Sequence, residues 1–254
     1  MEKFETVREG LVIRGTMYGE RESFQKPAVI LSHGFMADSS MCREYAKLLA
    51  DIGYLSFAFD FCGGGLMGKS GGRTADMSVL TEVRDLKAVI AYVRSLPYVR
   101  KDKIHLLGCS QGGFVSALAA AELREQISSL ILLYPAFCIP DDARRGHMMF
   151  ARFDPRNIPD VIRCGPMKLG ACYVKDVIHM EPWKEIHGYE GPVLYLQGTD
   201  DRVVDVSYAR RAREEYSDIE YHEIEGGGHM FRGKHETAAR QYLRIFMTKQ
   251  MLTE

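Results

Sequence analysis

Short apolar runs alternate along the chain with segments whose apolar residues recur every three or four positions. The runs are Pro27–Ser32, Tyr54–Phe59, Lys103–Leu107, Ser129–Tyr134, Pro192–Gln197 and Ile219–Ile224. Their continuity predicts strands covered on both faces. Between them the spacing predicts helices over 40–52, 78–96, 207–216 and 234–251. The second carries Val79, Val83, Leu86, Ile90 and Val93 on one stripe and is stopped by Pro97. Phe4–Arg8 and Leu11–Tyr18 flank Glu9-Gly10 and predict a hairpin. Alternation of this kind implies an α/β fold class, a mostly parallel central sheet with helices on both faces.

Ala136 to Gly191 breaks the rhythm, being far longer than a simple crossover needs. It holds five prolines and the only tryptophan, Trp183, and its acidic and basic residues balance. The expectation is a single domain over 1–254 with a cap insertion after the sixth strand, at about 136–190, folded over the carboxyl ends of the strands.

Composition narrows the class. Of the 254 residues, 46% are hydrophobic and 26% charged, ordinary for a globular protein. A net charge of −1 argues against a nucleic-acid-binding surface. No apolar run is long enough to predict a membrane span, and the charged start MEKFETVREG does not read as a secretory signal. Cys42, Cys62, Cys109, Cys138, Cys164 and Cys172 are scattered without a CxxC pair. They predict reduced thiols in a cytoplasmic protein and no metal site.

The chemistry centres on Gly108-Cys109-Ser110-Gln111-Gly112. An apolar strand precedes this turn, and Gly113 to Ala121, rich in alanine, follows it as a helix. Strand, GxSxG and helix together predict a sharp turn that presents the Ser110 hydroxyl. The amide of Gln111, at the helix start, then faces the place where an oxyanion would form. A serine nucleophile needs a base and an orienting carboxylate. The strand at 193–197 leads into Gly198-Thr199-Asp200-Asp201-Arg202-Val203-Val204, and the last strand into Gly226-Gly227-Gly228-His229. The base is read as His229. The acid is Asp200 or Asp201, and Asp201, the fourth residue of its turn, is preferred. Asp205 reads as a helix cap, and His235 as a surface residue. His33-Gly34-Phe35 ends the first buried strand, and the Phe35 amide is expected to be the second oxyanion donor.

Gly63 to Ser70 spells GxxxxGKS, which elsewhere cradles phosphates. A phosphate loop needs a helix beginning at its Lys-Ser, but Gly71-Gly72-Arg73-Thr74 continues as loop. Nucleotide binding is therefore not expected.

HGF at 33–35, GCSQG at 108–112, GTDDRVV at 198–204 and GGGH at 226–229 resemble the α/β-hydrolase superfamily over nearly the whole chain. Within the insertion, 134–136, 139–144 and 153–160 are similar to the cap of bacterial cinnamoyl and feruloyl esterases. The resemblance implies a serine carboxylesterase that acts without a cofactor on small or medium esters such as hydroxycinnamates. A small-molecule ester is the expected partner, with a homodimer as the alternative to a monomer. The resemblance also places Asp142 where a carboxylate could accept a hydrogen bond from a phenol; its other reading is as the cap of a short helix starting at Ala143. Asp141 is expected to face solvent. Met149 stands where some relatives place a glutamine that helps hold the phenol. A monoacylglycerol lipase, a peptidase-type serine hydrolase and a non-catalytic ligand-binding module are the alternatives.

Overall fold

The computed structural model describes residues 1–252. The first elements are strands β1 (Glu2–Arg8), β2 (Leu11–Tyr18) and β3 (Lys26–Ser32), helix α1 (Arg43–Asp51) and strand β4 (Leu55–Phe59). Helix α2 (Val79–Ser95), strand β5 (Val99–Cys109), helix α3 (Gln111–Glu122) and strand β6 (Ser129–Leu133) follow. After the insertion come strand β11 (Val193–Gly198), helix α7 (Val206–Ala212), strand β12 (Ile219–Ile224) and helix α8 (Lys234–Leu252). The insertion itself holds helix α4 (Ile139–Arg144), hairpins β7–β8 (His147–Met148, Ala151–Arg152) and β9–β10 (Val161–Cys164, Met167–Gly170), and helices α5 (Ala171–Lys175) and α6 (Pro182–Glu185).

Eight strands form one sheet in the order β1-β2-β4-β3-β5-β6-β11-β12. The β1–β2 and β2–β4 pairs are antiparallel, and the rest are parallel. The period of two along a strand sorts the core into two layers. On β3, Ala28 and Ile30 join one cluster with residues of α2, α3 and α7, while Val29 and Leu31 join another with α1 and α8. Helices on both faces explain why these strands read as unbroken apolar runs.

Three boundaries depart from the periodicity. Strand β5 begins at Val99 rather than Lys103, because Val99 pairs with Lys26 of β3, while the charged stretch 100–103 lies in a register irregularity before pairing resumes at Ile104. Helix α7 ends at Ala212 instead of running to 216. The short helix expected from Ala143 begins at Ile139, with Pro140 in its first turn, where a missing N–H costs nothing.

Candidate active site

Ser110 lies between β5 and α3 with φ 53° and ψ −121°, a left-handed backbone for a residue with a side chain. The surrounding hydrogen bonds enforce it. Its amide donates to Leu133 O (3.0 Å), and its carbonyl accepts from Gly113, Phe114 and Ala136. Gly112 allows the close crossing, since a Cβ there would come 2.3 Å from the His33 carbonyl.

The structure brings His229 and Asp201 to this turn. His229 Nε2 lies 3.0 Å from Ser110 Oγ, and His229 Nδ1 lies 2.8 Å from Asp201 Oδ2. The Asp201 side chain has no exposed surface. Its Oδ1 accepts from the amides of Val203 (2.8 Å) and Val204 (2.9 Å), and its Oδ2 also accepts from Gln197 Nε2 (3.0 Å). Burial works to raise its pKa, but the bond and charge of His229 and the two amides outweigh it, so the carboxyl sits below its ordinary range. Asp200 is exposed, and its amide donates to Gly227 O. Asp205 caps α7 by accepting from Ser207 N (2.9 Å).

Opposite the imidazole, Gly34 packs against the serine; a Cβ at Gly34 would stand 3.1 Å from Ser110 Cβ. Phe35 follows directly, and Gln111 opens α3, where the first amides have no partner within the helix. His33 anchors the Gly34 loop. Its Nδ1 donates to Gly34 O (2.8 Å), and its Nε2 accepts from Phe61 N (3.1 Å), a pattern only the neutral ring can make. Burial accordingly pushes the His33 pKa down.

A cavity of about 250 Å³ opens on Ser110. Phe35, Gln111, Ile139, Met148, Tyr173, Asp142, His147 and Met149 contribute to its wall. Asp142 lies inside α4, and its amide donates to Cys138 O, so it is not the cap of a helix starting at 143. Its side chain keeps a quarter of its surface exposed and lies 3.5 Å from Arg145. Burial raises its pKa against the opposing pull of the Cys138 thiol, Arg145 and His147. Asp141 does not simply face solvent, since it accepts from Tyr208 Oη and Arg144, each at 2.7 Å. Met149 sits at the β7–β8 turn with φ 50°. His235 is only partly exposed, so its surface reading is corrected too; its Nε2 lies buried under the Gly226 turn.

The glycine-rich loop is a brace and not a phosphate cradle. Asp60 accepts from Ser39 N and Lys69 N, both at 2.7 Å. The Ser70 hydroxyl is occupied, donating to Asp60 O while accepting from Arg14 N. No helix starts at Lys69; the next α-helix begins at Val79. The described residues hold no His, Cys, Asp or Glu group fit for a metal ion.

Several residues of the site escape a reading by motif. Gln197 is a polar residue closing an apolar strand. Glu82, only 1% exposed, falls on the apolar stripe of α2, three residues after Val79 and four before Leu86. A carboxylate at that spacing is the signal that could have found it.

Comparisons with known proteins agree with this architecture. A family model described as serine aminopeptidase, S33, matches residues 24–171. The structure of Est1E from Butyrivibrio proteoclasticus with ferulic acid bound superposes with a TM-score of 0.91 at 28% identity, covering 98% of this chain and 100% of that one. The uncharacterized Escherichia coli protein YcjY is 32% identical over 105 residues, which are 41% of this chain and 33% of YcjY. Rat monoglyceride lipase is 32% identical over 122 residues, 46% of this chain and 38% of the lipase. The match thus spans a third or slightly more of these two curated relatives. A Penicillium α/β hydrolase, GrgF, shares the fold at 18% identity and a TM-score of 0.73.

Proposed function

Because the chain belongs to the serine aminopeptidase S33 family of α/β-fold hydrolases, we propose that it is a serine carboxylesterase for small or medium esters, hydroxycinnamate esters foremost. The observation that carries this reading is the chain of hydrogen bonds from Ser110 through His229 to Asp201, opening on an apolar-walled cavity.

Ser110 Oγ attacks the ester carbonyl as its proton passes to His229 Nε2. Asp201 holds the imidazole with its proton on Nδ1 and balances the imidazolium charge. The amides of Phe35 and Gln111 receive the oxyanion. Collapse expels the alcohol, which takes the proton from His229 and leaves an acyl group on Ser110. Water, deprotonated by the same imidazole, then releases the acid.

Likeness to Est1E in its ferulic-acid complex supports a planar aromatic acyl group, because the superposition covers almost the whole chain, insertion included. The carboxylate of Asp142 then serves as acceptor for a phenol, while Met149 offers an apolar wall. The partner is the ester itself. The free thiols recorded among the described residues, five of them buried, support the reducing cytoplasm as location. Among the described residues no helix is long and apolar enough to cross a membrane.

A panel of methyl ferulate, methyl p-coumarate, methyl cinnamate, p-nitrophenyl acetate, a monoacylglycerol and an amino-acid p-nitroanilide tests the proposal. The aromatic esters are expected to show the highest kcat/KM. A dominant anilide activity would instead select the peptidase, and a dominant monoacylglycerol activity the lipase.

A further inference from the structure

Gln111 is needed for its backbone amide, yet its side chain is fully engaged elsewhere. Gln111 Nε2 donates to Glu82 Oε2 at 2.7 Å, and Gln111 Oε1 accepts from the hydroxyl of Tyr173. Each of the three residues is 1% exposed. They come from different parts of the fold: Glu82 from α2, Gln111 from the elbow and Tyr173 from α5 of the insertion. The Tyr173 ring also packs on Phe35, with centroids 5.6 Å apart at 55°. One tyrosine therefore touches both residues whose amides face the oxyanion. Glu82 reaches the same assembly from behind. A Cβ at Gly64 would meet Glu82 Oε1 at 3.0 Å and His33 Cε1 at 3.3 Å, and His33 is the ring that anchors Gly34.

We propose that Glu82 is a positioning residue for the oxyanion hole, acting through the Gln111 side chain, with Tyr173 as the second anchor. The inference rests on the triad reading above.

A buried carboxyl is costly unless it is neutral or well paired. Burial pushes the Glu82 pKa well above the carboxylate range, Gln111 opposing and Asp85 adding to the rise. A neutral acid and an amide are then interchangeable at this place, provided that an oxygen still accepts from Gln111 Nε2. With that acceptor removed, Gln111 Nε2 keeps only its long contact to Met77 Sδ (3.9 Å). The side chain is then held chiefly by Tyr173, and the amide at the head of α3 is freer to turn. An oxyanion donor removed outright costs about 10²- to 10³-fold in kcat, so a donor merely loosened should cost roughly 10- to 100-fold.

Hydrolysis of p-nitrophenyl acetate by Glu82→Ala, Glu82→Gln and Tyr173→Phe is the test. Glu82→Ala is expected to lose kcat by that factor with KM within about twofold, and Glu82→Gln to stay within about threefold of wild type. Inhibition by phenylboronic acid, which adds reversibly to Ser110 Oγ and mimics the tetrahedral intermediate, should weaken in step with kcat. Should Glu82→Ala fail to fold by circular dichroism, Tyr173→Phe, which removes only a hydroxyl, carries the same expectation. A folded Glu82→Ala with unchanged kcat and boronate affinity would overturn the inference, as would a loss confined to KM. An inactive Ser110→Ala beside such a result leaves the triad reading standing. Wild-type hydrolysis that survives Ser110→Ala would remove both.

Discussion

The rings of Tyr134 and His229 meet edge to face, their centroids 4.7 Å apart and their planes at 61°. Phe231 closes on Tyr134 from 5.0 Å, so the tyrosine has no room to withdraw. The imidazole is thus bounded by aromatic carbon as well as by Ser110 and Asp201. Such pairs contribute about 0.5–1.5 kcal/mol beyond simple burial. Tyr134→Leu, which keeps the site apolar, should lower kcat roughly 2- to 10-fold through a looser imidazole. Steady-state kinetics with thermal melts on the same protein separate this from a loss of folded enzyme.

The two adjacent aspartates differ sharply in surroundings. Asp201 is bonded to His229 and two amides, whereas Asp200 is exposed. Asp201→Asn should cost on the order of 10⁴-fold in kcat and Asp200→Asn only a few-fold. Ser110→Ala should cost about 10⁴- to 10⁶-fold with the melting temperature nearly unchanged. Reversed effects at 200 and 201 would mean that Asp200 is the carboxylate that orients His229.

Asp142 offers a direct test of acyl recognition. A hydrogen bond to a charged group contributes about 1.5–3 kcal/mol, or roughly 10- to 150-fold in kcat/KM. Asp142→Ala should weaken hydrolysis of methyl ferulate and p-coumarate towards the lower end of that range, since Met149 gives the phenol no second partner. Methyl cinnamate, which has no phenol, should be spared. Equal losses on all three esters would make Asp142 structural.

Acid should destabilise the fold through a histidine far from the chemistry. His105, buried in β5 beside Ser129 and Tyr54, has its pKa pushed from 6.5 down to about 3 by burial and by the charge of Lys103. Below pH 6.5 the unfolded chain takes up a proton that the folded His105 refuses. Its contribution is complete above that pH and is lost progressively down to about 3. Replacing it with glutamine should flatten the stability profile between pH 6 and 4 by as much as about 1.4 kcal/mol per pH unit. Urea denaturation at several pH values would reveal an unchanged slope if His105 were protonated in the fold.

The sheet and its order of elements were legible because burial on both faces writes continuous apolar runs into the chain. The neighbourhood of Ser110 was legible for a local reason: glycines at 108 and 112 mark a backbone crossing that tolerates no Cβ. Asp201 and His229 follow strands in short turns, so their placement depends on few residues. The supports behind them were not legible in this way. Glu82, Tyr173 and Gln197 acquire their meaning only when α2, the insertion and β11 meet in space. Helix α4 starts four residues before Ala143, at Ile139, because Pro140 is well tolerated in a first helical turn. Likewise 100–103 is too charged to read as strand, yet β5 runs through it to reach Val99, which pairs with Lys26.

Among the described residues, six other than glycine hold a left-handed backbone, and five of them, Met36, Ser110, Tyr134, Met149 and Met230, adjoin or line the cleft. Each such conformation disfavours folding by about 1 kcal/mol or more. The molecule therefore concentrates its conformational debt in one place, and the two-layered core carries it. Thermostability and turnover should trade against each other there. Met230→Gly, one residue beyond His229, relieves the backbone and should raise the melting temperature by a degree or more. The same change gives the His229 loop freedom it now lacks, and kcat should fall. Selection for heat resistance alone would then favour glycine at exposed Met230 and leave behind a sturdier, slower enzyme.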